Sequence, residues 1–164
     1  MSALVKNACR NKMIADDIIE HVESTNSGIA LILSERVNHC NILYKELLNA
    51  GVETRLLTGS MPTLHRKEVI RQLSEANGNI RVLVATTSLI GEGFDLKALS
   101  SVFLVTPIKF TGRLKQCVGR ILRVGEGKTA EIYDYVDSKI GVLKGSFKSR
   151  QYAYNDIGIK TELI

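Results

Sequence analysis

Gln116, Arg120 and Arg123 stand at i, i+4 and i+7 in the run Gln116-Cys117-Val118-Gly119-Arg120-Ile121-Leu122-Arg123. That spacing places an amide and two guanidiniums on one face of a helix. Leu114, Cys117, Val118, Ile121 and Leu122 fall on the opposite face, an apolar stripe able to anchor the helix while the basic face looks out. Like charges three residues apart repel by roughly a few tenths of a kcal/mol, and no acidic residue in the expected helix, 112–122, offsets them. An external anion would. Guanidinium forks match phosphate oxygens, so the chemistry this face suits is the handling of a phosphoryl group. A solvated basic face is the simpler competing reading.

A second segment, Val82-Leu83-Val84-Ala85-Thr86-Thr87-Ser88-Leu89-Ile90-Gly91-Glu92-Gly93-Phe94-Asp95, runs from an apolar strand directly into hydroxyls, glycines and acids. Thr86 and Thr87 at a strand's C-terminal end can present hydroxyl and backbone N–H groups to a nucleic-acid phosphate without reading sequence. Gly91 and Gly93 permit close backbone approach. The plainer account is a helix cap at Thr86 or Thr87 and a turn at Gly-Glu-Gly. Thr58-Gly59-Ser60, followed by Arg66, is a turn by default and a second candidate strand-end contact. Ser34-Glu35-Arg36 follows the first apolar run, with Arg36 or His39 as possible contacts and capping by Ser34 as the simpler reading.

Two glycine-rich stretches fail as nucleotide loops. Gly125-Glu126-Gly127-Lys128-Thr129 ends in Gly-Lys-Thr, but G-x-x-x-x-G-K-[ST] needs a glycine where Leu122 stands, and Thr129 leads into a strand instead of a helix. Gly91-Glu92-Gly93 has Leu96 where a dinucleotide fingerprint needs its third glycine. His21, His39 and His65 show no metal spacing and read as surface or capping residues.

The elements that must position these residues alternate. Apolar residues from Leu4 to Val22 recur at helical intervals, giving one long helix or a helix pair. The continuous apolar run at 28–33 is a strand buried on both faces. A helix at 35–50 ends at Gly51 in the C′ position. Then come strand 52–57, helix 62–76 with Pro62 near its first turn, strand 80–85, a short turn or helix through Gly91, strand 101–106, helix 112–122 and strand 130–136. The tail 138–164, with Lys139, Lys144, Lys148 and Arg150, reads as a basic C-terminal helix or extension. Such alternation specifies an α/β fold with a mostly parallel sheet, helices on both faces and ligands beyond the strands' C-terminal ends.

The 164 residues are 45% hydrophobic, enough for one domain with a real core and too few for a second. A formal charge of +5 suits a polyanionic partner without requiring one. Cys9, Cys40 and Cys117 are too few and too scattered for a disulfide framework or a zinc site. No stretch approaches the roughly 18 apolar residues of a membrane span. These features imply a soluble, cytoplasmic chain.

In their order, the segments resemble motifs IV (Ser34 onward), V (Val82 to Leu96) and VI (Gln116 to Arg123) of the superfamily-two helicase C-terminal domain. The resemblance covers about Gly28 to Val136. It implies a three-layer RecA-like domain in which Arg120 and Arg123 act as arginine fingers on the γ-phosphate of ATP, with Gln116 as a polar partner. In other nucleotidases such fingers are worth about 10³ to 10⁵ in rate. Glu92, Gly93 and Asp95 would lie beside the nucleotide, with Asp95 on its ribose. Thr58, Gly59, Thr86, Thr87, Arg36 and Arg66 would contact a nucleic-acid backbone, DNA more than RNA. Arg10-Asn11, Tyr133-Asp134-Tyr135-Val136-Asp137, Arg150 and Tyr154 look most like the branch of restriction-enzyme motor subunits and DNA repair and phage helicases.

Motif I with its lysine and motif II with its acid pair, which hold phosphates and Mg²⁺, are missing from these residues. The resemblance therefore implies an N-terminal RecA-like domain of the same parent chain as partner, Mg²⁺ held there, and Met1 as a boundary within that parent. The expected organisation is a helical lead-in at 1–27, the RecA-like core at 28–137 and a basic extension at 138–164. The isolated chain should not turn over ATP at a useful rate. Two rivals stand: a stand-alone nucleic-acid-binding module, for which no aromatic stacking platform is evident in the sequence, and a small nucleotidase using Lys128.

Overall fold

The computed structural model describes residues 2–25, 28–75, 79–91, 98–108, 112, 115, 116, 118, 119, 131–137 and 141–156. The helical periodicity at the start resolves into a pair, α1 (Ser2–Val5) and α2 (Ala8–Ser24). Asn7 separates them because its side chain accepts the Arg10 N–H at 3.1 Å, an N-cap that starts a new helix. After α2 come β1 (Ile29–Ser34), α3 (Val37–Asn49), β2 (Thr54–Leu57), α4 (Thr63–Glu75), β3 (Val82–Thr86), a 3₁₀ turn (Thr87–Gly91), β4 (Leu99–Leu104), β5 (Glu131–Asp134) and α5 (Gly141–Asp156).

The strands form a five-stranded sheet in the order β2-β3-β1-β4-β5, and every described pairing is parallel. Each strand therefore needs a crossover, and helices cover both faces. Period-two alternation divides the core. Ile29, Leu31 and Leu33 of β1 join Leu73 of α4, Val118 and Tyr154 of α5 on one face. Ala30 and Ile32 join Ile14 and Ile18 of α2 and Leu43 and Leu47 of α3 on the other. Both sides of β1 are thus apolar, which is why its sequence reads as an unbroken run. Leu31, Ile32 and Leu33 are wholly buried, each contributing about 1.5–3 kcal/mol by that burial.

Gly51 ends α3 in the left-handed region at φ +82°. Its N–H bonds to Leu48 O at 2.9 Å and that of Val52 to Leu47 O at 3.0 Å, the paired reverse bonds of a Schellman motif. Val52 is thereby used in the cap, so β2 starts at Thr54 instead of residue 52. Gly28, at φ +95°, opens β1 against Ser100, whose Oγ lies 2.3 Å from where a Cβ would sit. Only glycine fits there. The tail forms α5, which packs back onto the sheet through Ala153 and Tyr154.

Candidate functional site

The parallel sheet gathers the C-terminal ends of β1, β2, β3 and β4 along one edge, where the sequence placed its hydroxyl-rich segments. Ser34 ends β1 opposite Thr86 of β3, and Leu57 of β2 pairs with Ala85, so Thr58 follows next to Thr86. A cross-strand bond fixes this edge: Gly59 N–H donates to Thr86 Oγ1 at 3.3 Å, and Ser88 O–H donates to the same oxygen at 3.3 Å. Thr86 Oγ1 is thus an acceptor twice over, and its own hydrogen has no acceptor among the described residues. Thr58 shares a hydroxyl contact with Ser60 at 3.0 Å. Across β1, the Glu35 N–H donates to Thr106 Oγ1 at 3.1 Å, tying the β1 and β4 ends together.

Exposure redistributes the candidates. Thr58 and Thr86 are buried, at 2% and 3%, Thr87 is half-buried, and Gly59, Ser60 and Ser88 form the exposed rim above them. Ser60 belongs to the candidate Thr58 turn, whereas Ser88 carries no distinguishing signal in the sequence, being one serine two residues beyond a strand end. Arg36 is exposed, and Arg66, half-buried in the first turn of α4, donates to Thr63 Oγ1 at 3.2 Å. Arg66 therefore lies on the helix that begins just after the Thr58 turn.

Gln116 is exposed while Val118 is wholly buried in the core. Both are helical, as are Gly112, Lys115 and Gly119. Gln116 faces outward and Val118 inward, as the sequence spacing requires of these two residues. Arg120, Arg123, Glu92, Gly93 and Asp95 lie outside the described residues, as does the 125–129 stretch. Among the described residues no three His, Cys, Asp or Glu side chains converge as metal ligands, and no helix is long and apolar enough to cross a membrane.

The histidines correct the sequence reading. His39 is wholly buried with both ring nitrogens engaged, by Ser34 and Asn11, and so has no group left for a nucleic acid. Asn11 uses its N–H to bond Val5 O at 2.9 Å, so its Oδ1 is the acceptor for His39 Nε2 at 3.1 Å. His39 Nδ1 then accepts from Ser34 O–H at 3.2 Å, and Ser34 Oγ accepts the Arg36 N–H at 3.2 Å. Each proton in the chain has one place to go, which fixes a neutral Nε2–H imidazole. Ser34 serves this network, and α3 begins after Arg36 with no side-chain cap. His21 is also buried, edge-on to Phe103 and Tyr133 with ring centroids 5.4 and 5.3 Å away. His65 alone of the three is exposed.

Burial, with Arg10 nearby, lowers the His39 pKa from its ordinary 6.5 to about 4. The unfolded chain therefore takes up a proton at a pH where the folded one does not, and stability is lost as pH falls through that window. Between pH 6.5 and 4 the wild type should lose about 3 kcal/mol more than a His39→Gln variant. His21, lowered mainly by burial, adds a change of the same sign in both proteins. Urea titrations at the two pH values check this, and equal losses in wild type and variant would refute it.

Arg10 explains why an Arg-Asn pair opens α2. Its guanidinium bonds both Asp137 oxygens, at 3.0 and 3.1 Å, and Val105 O at 3.0 Å, clamping α2 to the ends of β4 and β5. Arg150 of α5 does the equivalent on the other face, gripping Asp134 at 2.7 and 2.9 Å. Cys40 is an inert core residue, its thiol pushed up to about 12 by burial.

The helicase conserved C-terminal domain model matches residues 12–125, from within α2 to beyond Gln116. The transcript termination protein A18 of Fowlpox virus is 28% identical over 143 residues, covering 87% of this chain and 30% of that protein. The chain thus spans about a third of the length of the curated relatives it matches. Among solved structures it is similar to T4 UvsW, with a TM-score of 0.73 and 21% identity over 96% of this chain and 34% of that one. The C-terminal domain of S. cerevisiae Dbp5 gives a TM-score of 0.67 and 20% identity over 92% of this chain and 82% of that one. At such identities the structures speak for the RecA-like α/β fold alone. The match over most of the chain carries the rest: this chain belongs to the helicase conserved C-terminal domain family.

Proposed function

We propose that the chain is the C-terminal motor half of an ATP-dependent DNA helicase or translocase, working with an N-terminal RecA-like domain of the same parent chain. In this reading residues 28–137 are the motor core, 1–27 its lead-in and 138–164 a basic extension. Arg120 and Arg123 serve as fingers on ATP held by the companion domain, which also holds Mg²⁺, and Gln116 assists them. Glu92, Gly93 and Asp95 lie beside the nucleotide. Thr58, Gly59, Thr86, Thr87, Arg36 and Arg66 follow a DNA backbone. The cell compartment proposed is the cytoplasm. Restriction and repair are the proposed settings, and the Fowlpox relative's name adds transcript termination to them.

The observation that supports this best is the strand-end edge. A hydroxyl whose lone pairs are both occupied, as in Thr86, has only a proton left to offer. A phosphate oxygen is the acceptor such a group suits, and contacts of that kind carry no base information. A hydrogen bond to a charged group contributes about 1.5–3 kcal/mol. Thr86→Val, which keeps the shape and removes the proton, should therefore weaken binding of a single-stranded oligonucleotide by roughly tenfold or more. Anisotropy titrations at low salt check this. Affinity equal to wild type would remove the edge from the nucleic-acid path.

A further inference from the structure

The polar side chains of α5 divide sharply. On the inward side Arg150 and Tyr154 are almost wholly buried and both bond Asp134. On the outward side Lys148, Gln151, Tyr152 and Asn155, at i, i+3, i+4 and i+7, form one stripe. They line a recess of about 320 Å³, and none of the four has a hydrogen-bond or ion-pair partner among the described residues. Tyr152 is 78% exposed. An exposed aromatic ring beside three polar side chains with no partner among the described residues has both a stacking face and hydrogen-bonding groups to offer a ligand.

We propose that this stripe holds one nucleotide unit of single-stranded nucleic acid. Each member matches a part of that ligand. The Tyr152 ring offers a stacking face to any base. The amides of Gln151 and Asn155 pair a donor with an acceptor, as base edges require, and Lys148 is a point charge for phosphate. The recess lies at the small end of ligand sites, roughly 300–1,000 Å³, a size for a base and its sugar.

Charge favours the polyanion over a second protein. The sole carboxylate in α5, Asp156, is held by Lys115 at 2.7 Å, and Lys148 has no ion-pair partner among the described residues. The same ion pair fixes the position of the stripe. Asp156 is one turn beyond Tyr152, and Lys115 is the neighbour of Gln116, so the recess adjoins the helix that carries the Gln116 face. The inference rests on the proposed nucleic-acid partner and gives it a second point of contact. It also supplies the stacking platform that the sequence did not reveal.

The test uses the 164-residue chain, labelled thymidylate and adenylate homo-oligomers, and anisotropy over a salt series. Tyr152→Ala should weaken binding by about 5- to 150-fold, while Tyr152→Phe, which keeps the ring, should bind like wild type. Lys148→Ala should reduce the salt slope by about 0.7. Because the chain has no Trp, a Tyr152→Trp variant provides a single emitter that stacking should quench. Wild-type affinity in Tyr152→Ala, with Thr86→Val weakened, would overturn the α5 site and leave the strand-end reading standing. Self-association lost in Tyr152→Ala would overturn it in favour of a second copy of the chain. A wild type that binds neither oligomer would overturn both.

Discussion

Alanine in place of Arg123, in a protein that carries both motor halves, should lower nucleic-acid-stimulated ATP turnover by roughly 10³-fold or more and leave ATP affinity within a small factor. A finger acts on charge that develops as the γ-phosphoryl group transfers, so its loss falls on kcat more than on binding. The spacing from Gln116 in the sequence motivates the role. Val118 is packed in the core and Gln116 is exposed, and the sequence spacing assigns Arg120 and Arg123 to the Gln116 face. Arg123→Lys should restore little, because an ammonium cannot reproduce the two-pronged guanidinium contact. The measurement is turnover at saturating oligonucleotide, with nucleotide affinity measured separately. Unchanged turnover in Arg123→Ala would refute the finger assignment, whereas parallel losses in turnover and affinity would make Arg123 a ground-state contact.

The same face shows what a sequence can and cannot carry. The stripe at Gln116 and Val118 was legible because helix periodicity is local, and so were the β1 run and the glycine that ends α3. The boundaries moved where a residue had a competing use, as Val52 did in the Schellman bonds. His39 was misread for a different reason. A lone histidine early in a helix looks like a surface group until Asn11, 28 residues earlier, arrives to bond it. Long-range partners leave no periodic trace. The exposed face of α5 was hidden similarly, because Lys148 and Arg150 look alike in sequence. Only packing shows that one points to water and the other is committed to Asp134. The family resemblance groups Arg10, Asp134, Arg150 and Tyr154 without saying what they do. In the folded chain they clamp α2 and α5 onto the ends of the sheet.

That clamp has a large energetic consequence at Asp134, the last residue of β5. Its side chain is 8% exposed and receives two bonds from Arg150 and one from the Tyr154 hydroxyl at 2.8 Å. Asp134→Ala would leave the guanidinium in the core without this carboxylate, and breaking one side of a buried pair costs about 3–5 kcal/mol. Whole domains are stable by only about 5–15 kcal/mol. At about 2–4 °C per kcal/mol for a chain of this size, Tm should fall by roughly 6–20 °C. Replacing both partners, Asp134→Leu with Arg150→Met, removes both buried charges together and should recover most of the loss. Calorimetry on the single and double variants separates the contribution of the pair from that of packing. A Tm within about 2 °C of wild type for Asp134→Ala would mean that α5 is held by apolar contacts alone. In that event the exposed stripe on its outer face would owe its position to Ala153 and the Tyr154 ring instead of to this ion pair.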